Sequence, residues 1–119
     1  MDTPSWTAFV VDHLPELWLR TVQHLMLSGV STGLAILIGV PLGVLAFRRR
    51  WIRGPIVGTA GILQTVPSPA MLTLLLALLH KIGALPAIVA LTLYALLPIV
   101  RNTLTSMEGV SSEVMEAAR

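Results

Sequence analysis

The 119-residue sequence contains no cysteine and few charged residues. The lack of cysteine excludes disulfide bonds, thiol catalysis and thiolate metal ligands from these residues. Charged residues make up 12% of the sequence, whereas soluble domains typically carry about 25%. No charged residue lies between Arg20 and Arg48, between Arg53 and Lys81, or between Lys81 and Arg101. Because a charge at the bilayer centre costs about 2.5–3.5 kcal/mol, these uncharged stretches indicate an integral membrane protein.

Motifs for enzyme chemistry are also missing from the sequence. No glycine-rich phosphate loop precedes Lys81, the only lysine, so we expect that this chain does not bind ATP itself. The three histidines lack the spacing of a metal site, and no serine lies in a nucleophile motif. The acidic residues lie in the terminal segments, which argues against a proton relay. These absences disfavour an enzyme and predict that the chain holds no metal or cofactor.

Three long apolar stretches predict an all-α protein with three transmembrane helices. They cover residues 25–47, 54–79 and 82–100. As helices they would be about 34, 39 and 28 Å long, against a hydrocarbon core of about 30 Å. The first stretch carries small residues at three- and four-residue spacing, namely Ser28, Thr32, Ala35, Gly39, Gly43 and Ala46. This pattern favours close packing against a neighbouring helix in lipid.

The second stretch is interrupted near its middle by the run QTVPSP at residues 64–69. Two prolines remove two backbone donors and bias the residues before them away from helix, so we expect a break here. Irregular backbone at this depth is tolerated where it is buried in protein or lines a wet cavity. The candidate residues for a translocation path are therefore Gln64, Thr65, Pro67, Ser68, Pro69 and, in the third stretch, Tyr94. A kink that serves only packing explains the same run equally well, and a lone tyrosine in a span is more often packed.

The segments outside the spans predict the topology. Arginines follow the first and third stretches at Arg48, Arg49, Arg50, Arg53 and Arg101. By the positive-inside rule they place these ends in the cytoplasm and the N-terminus outside. Residues 1–24 predict either an amphipathic helix at the membrane interface or a loose extension. Residues 102–119 predict a cytoplasmic segment with a short helix that begins at an N-cap, Ser111.

Four runs of residues carry a resemblance to a known family. They are GVPLGVL at 39–45, LQTVPS at 63–68, LPAIVALTLYALLPIVRNT at 85–103 and EAAR at 116–119. In this order they resemble the permease subunit of binding-protein-dependent ABC importers for osmoprotectants such as glycine betaine, choline, carnitine and proline betaine. The run at 85–103 is the most specific of the four, while Glu116-Ala117-Ala118 alone is a weak signal.

The resemblance implies the N-terminal part of a type I ABC importer permease fold in the cytoplasmic (inner) membrane. It also implies three partners and no nucleic acid: a second permease subunit, an ATPase subunit that binds the ATP, and a substrate-binding protein. Residues 111–119 would form the coupling helix that docks into the ATPase. Its contacts would come from Ser111, Glu116, Ala117, Ala118 and Arg119, with Glu116 as the main polar group.

Two further alternatives concern the extent of the chain. The family pattern continues past Arg119 with a glycine and more spans, so we expect either a fragment or a truncated permease. The residues alone also allow a small three-span assembly or regulatory protein. Neither the particular osmoprotectant nor the choice between a homodimeric and a heterodimeric permease follows from the sequence.

Overall fold

The computed structural model describes residues 5–118, which form four α-helices and contain no β-strand. The helices are α1 (Trp6–Arg48), α2 (Arg50–Thr65), α3 (Ser68–Leu79) and α4 (Ala84–Ala117). Helices α1 and α4 are each long and apolar enough to cross a membrane, and the bent pair α2–α3 is a third candidate span. The predicted all-α membrane fold is confirmed, with two or three candidate spans where three transmembrane helices were predicted.

Helix α4 is the centre of the described part of the chain, because it contacts each of the other three helices. It follows a turn in which His80 and Gly83 have positive φ angles of 50° and 139°. The value at Gly83 lies in a region that side chains other than glycine rarely adopt. Helices α1 and α4 run in the same direction, since Gly39 lies beside Ile99 and Gly43 beside Thr103.

The small residues of α1 form the closest helix contact. The buried positions of this helix are Ser31, Ala35, Gly39, Gly43 and Ala46. A Cβ atom added at Gly43 would lie 2.6 Å from the Cβ of Thr103, and one added at Gly39 would lie 2.8 Å from the Cγ2 of Ile99. The predicted packing face is therefore confirmed from Ala35 to Ala46. Ser28 and Thr32, which we placed on the same face, are exposed.

The break in the second apolar stretch lies at Val66 and Pro67, as predicted. Val66 has an extended backbone with φ −70° and ψ 124°, because the proline after it disfavours the helical conformation. Helix α3 then begins with Pro69 in its first turn, a position where proline is compatible with a helix. The two helices differ in direction by 99°. Residues 50–79 therefore form two short helices of about 24 and 18 Å and not one straight helix.

The structure corrects the N-terminal boundary that we expected at residue 24. Helix α1 is continuous over 43 residues from Trp6 to Arg48, about 64 Å at 1.5 Å per residue. Residues 16–28 contain neither glycine nor proline. Ending the helix there would leave four carbonyl groups without a helical partner, and nothing in this sequence favours such an end.

The structure also corrects two boundaries at the arginine-rich end, namely the end of the third predicted span and the segment between the first two. Helix α4 passes the expected end at residue 100 and continues to Ala117, so residues 102–117 are not a separate short helix. Ser111 lies inside this helix and is not an N-cap. No proline follows Pro98 in α4, so each later backbone N–H can continue the helical ladder. Of the residues between the first two predicted spans, only Arg49 is outside a helix at this end, because α1 ends at Arg48 and α2 already begins at Arg50.

Candidate functional site

Two hydrogen bonds join the break to α4. The Tyr94 hydroxyl donates to the carbonyl oxygen of Val66, and Nε2 of Gln64 donates to the carbonyl oxygen of Tyr94 over 3.3 Å. A carbonyl outside a helical ladder needs another partner at membrane depth, and Tyr94 supplies that partner at the break. Tyr94 and Gln64 therefore hold the junction of α2 and α3 at one position along α4.

Apolar packing supports the same junction. Met71 and Leu75 of α3 form a buried cluster with Ala90 of α4, and Val66 and Tyr94 pack against it. Tyr94 is therefore packed in this cluster by its ring, while its hydroxyl bonds to the break.

The other predicted path residues have different environments. The Thr65 hydroxyl donates to the carbonyl of Ile62 in its own helix over 2.7 Å. Pro67 and Pro69 shape the backbone. Ser68 lines a cavity of about 300 Å³ between α1, α3 and α4, so of these residues it is the one beside an open volume.

Helix α1 contributes residues to this region that the sequence pattern did not indicate. His24 and Ser28 line the same cavity as Ser68. A second cavity, of about 310 Å³, is lined by Ser28, Ser31 and Thr32 of α1 together with Tyr94. We had treated Ser28 and Thr32 only as small residues for helix packing. Three hydroxyl groups within five residues of an apolar stretch were the signal available for a polar site.

At the arginine-rich end, the structure brings together three of the five arginines that we used for topology. Arg50, Arg53 and Arg101 line a cavity of about 480 Å³ between α2 and α4. Nη1 of Arg53 lies 2.5 Å from Oε1 of Glu108, and both side chains are 43% exposed. Arg48 and Arg49 are exposed and do not line this cavity.

The predicted coupling residues lie at the end of α4. Glu116, Ala117 and Ala118 are exposed, and the Ala118 N–H donates to the Val114 carbonyl over 3.2 Å. Arg119 lies outside the described residues. Helix α4 continues to Ala117, past Thr103, which lies beside Gly43 of α1.

Comparison with known proteins gives a consistent result. Residues 35–119 match the family model described as binding-protein-dependent transport system inner membrane component. The osmoprotectant import permease protein OsmW of Salmonella typhimurium is 45% identical over 115 residues, which cover 93% of this chain and 54% of OsmW. The choline transport system permease protein OpuBB of Bacillus subtilis is 41% identical over 104 residues, or 87% of this chain and 48% of OpuBB.

A third relative, the carnitine transport permease protein OpuCB of Listeria monocytogenes, is 42% identical over 104 residues, or 87% of this chain and 47% of OpuCB. The chain thus spans about half the length of these curated relatives. No solved structure matches it.

Proposed function

The chain belongs to the family of binding-protein-dependent transport system inner membrane components, and from this membership we propose that it is part of the permease of an ABC importer for small osmoprotectants. The observation that carries the proposal is the similarity to OsmW over 93% of the chain. It favours this function over a small three-span assembly or regulatory protein. The relatives are named for choline, carnitine and glycine betaine, which all carry a trimethylammonium group, and we propose that class as substrate.

The proposed orientation follows from the arginines. Arg48 is the last residue of α1 and Arg50 the first of α2, and Arg101 lies on α4 at the same end of the molecule. Positive residues concentrate on the cytoplasmic side of inner-membrane proteins. We therefore place this end and the exposed end of α4 in the cytoplasm, and the N-terminus outside.

The proposed partners are an ATPase subunit that binds ATP, a substrate-binding protein outside the membrane and a second permease subunit. Glu116, Ala117 and Ala118 are suited to contact the ATPase because they are exposed at the end of a long helix. Helical segments commonly dock into a groove of a partner through one face. In this arrangement the energy of ATP hydrolysis is supplied by the partner and not by the present chain.

Helix α4 offers a direct mechanical connection between the two ends. Its residues are helical from Tyr94 to Glu116 with Pro98 inside this stretch, a distance of 22 residues or about 33 Å. Tyr94 bonds to the α2–α3 break, so a displacement of the cytoplasmic end of α4 would move this break. We propose that movement of the ATPase reaches the translocation path in this way.

The proposed function is tested by uptake into vesicles that contain the full permease with its ATPase and binding protein. We expect ATP-dependent uptake of radiolabelled choline or glycine betaine. Vesicles that take up neither solute, although the complex is assembled and hydrolyses ATP, would rule out the trimethylammonium class.

Coupling is tested by Glu116→Lys, which reverses a charge at the exposed end of α4. We expect loss of ATPase binding and of uptake, while the amount of permease in the membrane is unchanged. Glu16→Lys is the matched control, because it makes the same change at an exposed position of α1 at the other end of the molecule. Normal uptake by Glu116→Lys would remove this residue from the mechanism.

A further inference from the structure

A groove lies between α1 and α4, next to the break, and its walls combine hydroxyl-bearing residues with apolar ones such as Leu27, Leu72 and Leu91. It consists of the two adjoining cavities of about 300 and 310 Å³, which share Ser28 and Tyr94 in their walls. The first cavity reaches Ser68, and the second reaches Ser31 and Thr32. A water molecule occupies about 30 Å³ in the liquid, so each cavity has room for roughly ten.

The three α1 hydroxyls in the walls of this groove have no hydrogen-bond partner among residues 5–118, whereas the Thr21 hydroxyl elsewhere on α1 donates to the Leu17 carbonyl. Ser31 is only 2% exposed, and its Oγ is buried without a partner in the described part of the chain. Ser28 and Thr32 make no side-chain hydrogen bond there either. Thr73 and Thr92 behave differently, since each donates to the carbonyl four residues earlier in its own helix.

These unused hydroxyls point to water in the groove. A buried hydroxyl without a partner costs about 1–3 kcal/mol, and this cost is removed if water fills the neighbouring cavity. Buried waters occupy sites that are roomy and offer several polar partners. The groove meets both conditions, because Ser28, Ser31 and Thr32 contribute hydroxyl groups to one wall and Tyr94 lies on the opposite one.

The groove also suits one kind of solute. No Asp, Glu, Lys or Arg lines either cavity, and the titratable groups in their walls are His24 and Tyr94. A site without full charges does not hold an ion tightly, and an aromatic ring attracts a quaternary ammonium group. These properties suit weak, transient contact with a small trimethylammonium solute that passes through, and not tight binding of that solute.

We propose that the groove of Ser28, Ser31, Thr32 and Tyr94 is a water-filled section of the path along which a trimethylammonium solute crosses the membrane. The proposal rests on the proposed function, because it assigns residues to the path of that importer. It places the path along the hydroxyl-bearing face of α1, where the sequence analysis had placed only helix packing.

The test is the accessibility of a single introduced cysteine. These 119 residues contain no cysteine, so Ser28→Cys introduces their only thiol, and the full permease and its partners are used with any other cysteine replaced by serine. The full permease is assembled with its partners and treated with 2-(trimethylammonium)ethyl methanethiosulfonate, which reacts with thiolates in contact with water. Gly33→Cys is the matched control, because a Cβ at Gly33 meets nothing within 4 Å and Gly33 lines neither cavity.

We expect Ser28→Cys to react at least about tenfold faster than Gly33→Cys, because the reactive thiolate forms in water and not in lipid. Excess choline should slow the reaction at Ser28→Cys and leave Gly33→Cys unchanged. Equal, slow reaction at both positions would overturn the proposal. Fast reaction that choline does not slow would show a hydrated groove outside the path, and would also overturn it.

A second variant tests Ser31 without a reagent. Ser31→Ala removes the unpaired hydroxyl, so we expect unchanged or higher thermal stability together with slower uptake. Wild-type uptake by a stably folded Ser31→Ala would contradict a role of this hydroxyl in hydrating the path. Failure of the wild-type permease to take up choline or glycine betaine is a separate result, since it removes the proposed function whatever the labelling rates are.

Discussion

Helix α4 is held by α1 and by α2 in two different ways. Against α1, small residues allow close approach, and Gly39 and Gly43 lie so near Ile99 and Thr103 that an added Cβ would collide. Against α2, the specific contacts are polar, namely the ion pair Arg53–Glu108 and the hydrogen bond from Gln64 to Tyr94. The α1–α4 interface depends mainly on close packing, with one hydrogen bond of 3.4 Å from Thr92 to the Ser31 carbonyl, whereas the α2–α4 interface depends on a few directional polar contacts.

Two pairs of glycines with the same spacing, one on α1 and one on α2, also have different environments. Gly39 and Gly43 on α1 and Gly54 and Gly58 on α2 are each four residues apart. A Cβ at Gly54 or Gly58 would meet nothing within 4 Å. Small residues at this spacing permit close helix packing in lipid, but they do not determine whether a helix of the same chain occupies the position. In α2 these two glycines line the cavity between α2 and α4 instead of a close helix contact.

The largest effect should come from a methyl group in the tight interface. Gly43→Ala would place a Cβ 2.6 Å from the Thr103 Cβ and 3.0 Å from the Val100 carbonyl oxygen. Since the backbone of α4 must move to relieve this contact, we expect a loss of about 1–3 kcal/mol in the free energy of unfolding. Thermal denaturation of the purified permease in detergent measures the loss. An unchanged midpoint would show that the α1–α4 contact is looser than described.

The next effect should come from the polar contact at the break. Tyr94→Phe keeps the packed ring but leaves the Val66 carbonyl without its partner. We expect a loss of about 1–2 kcal/mol and slower uptake, because the break is no longer fixed to α4. Thr73→Val is the control, since that hydroxyl bonds only within its own helix. If both variants transported equally well, the Tyr94 hydroxyl would have no role in the path.

A smaller effect is expected at the ion pair of the α2–α4 interface. Arg53 and Glu108 are both partly exposed, and such pairs contribute about 0–1 kcal/mol. Arg53→Gln should therefore reduce stability only slightly, and less so at high salt. Arg50→Gln removes a neighbouring arginine of the same cavity and serves as control. A loss well above 1 kcal/mol that salt does not reduce would mean that the pair is buried in the assembled complex.

The smallest effect, and of opposite sign, is expected at the open face of α2. Gly58→Ala meets no atom within 4 Å, and alanine is favoured over glycine in a helix by up to about 1 kcal/mol. We expect stability to be unchanged or slightly increased, by the same thermal measurement. A large loss would show that a further helix packs on Gly58 in the assembled permease, and the contrast with Gly43 would then disappear.

Much of the fold could be predicted because membrane solvation constrains it. The uncharged stretches indicated the helices, and the prolines indicated the break at Val66 and Pro67. Helix ends were predicted poorly. Residues near 24, 50 and 101 lie inside helices or within one residue of a helix end, because polar residues are compatible with a helix that extends into water.

The candidate site was predicted in part. Gln64, Ser68 and Tyr94 were chosen as polar or aromatic residues in apolar stretches, and the structure brings all three to the junction of α2, α3 and α4. Ser28 and Ser31 were missed as site residues, since a serine in a span serves packing and polar contacts equally well. Thr65 was chosen but bonds within its own helix. Which side of a helix faces a cavity depends on the neighbouring helices.

The sequence by itself determined that the chain crosses a membrane, that its spans are helical and that one of them breaks at a proline pair. These properties follow from local chemistry, namely transfer of side chains and backbone groups into lipid and the missing N–H of proline. Only the tertiary structure decided which glycine pair is packed, which carbonyl Tyr94 binds and which hydroxyls line a groove. Those outcomes depend on contacts between residues that are far apart in the sequence, and neither hydropathy nor residue spacing predicts these contacts.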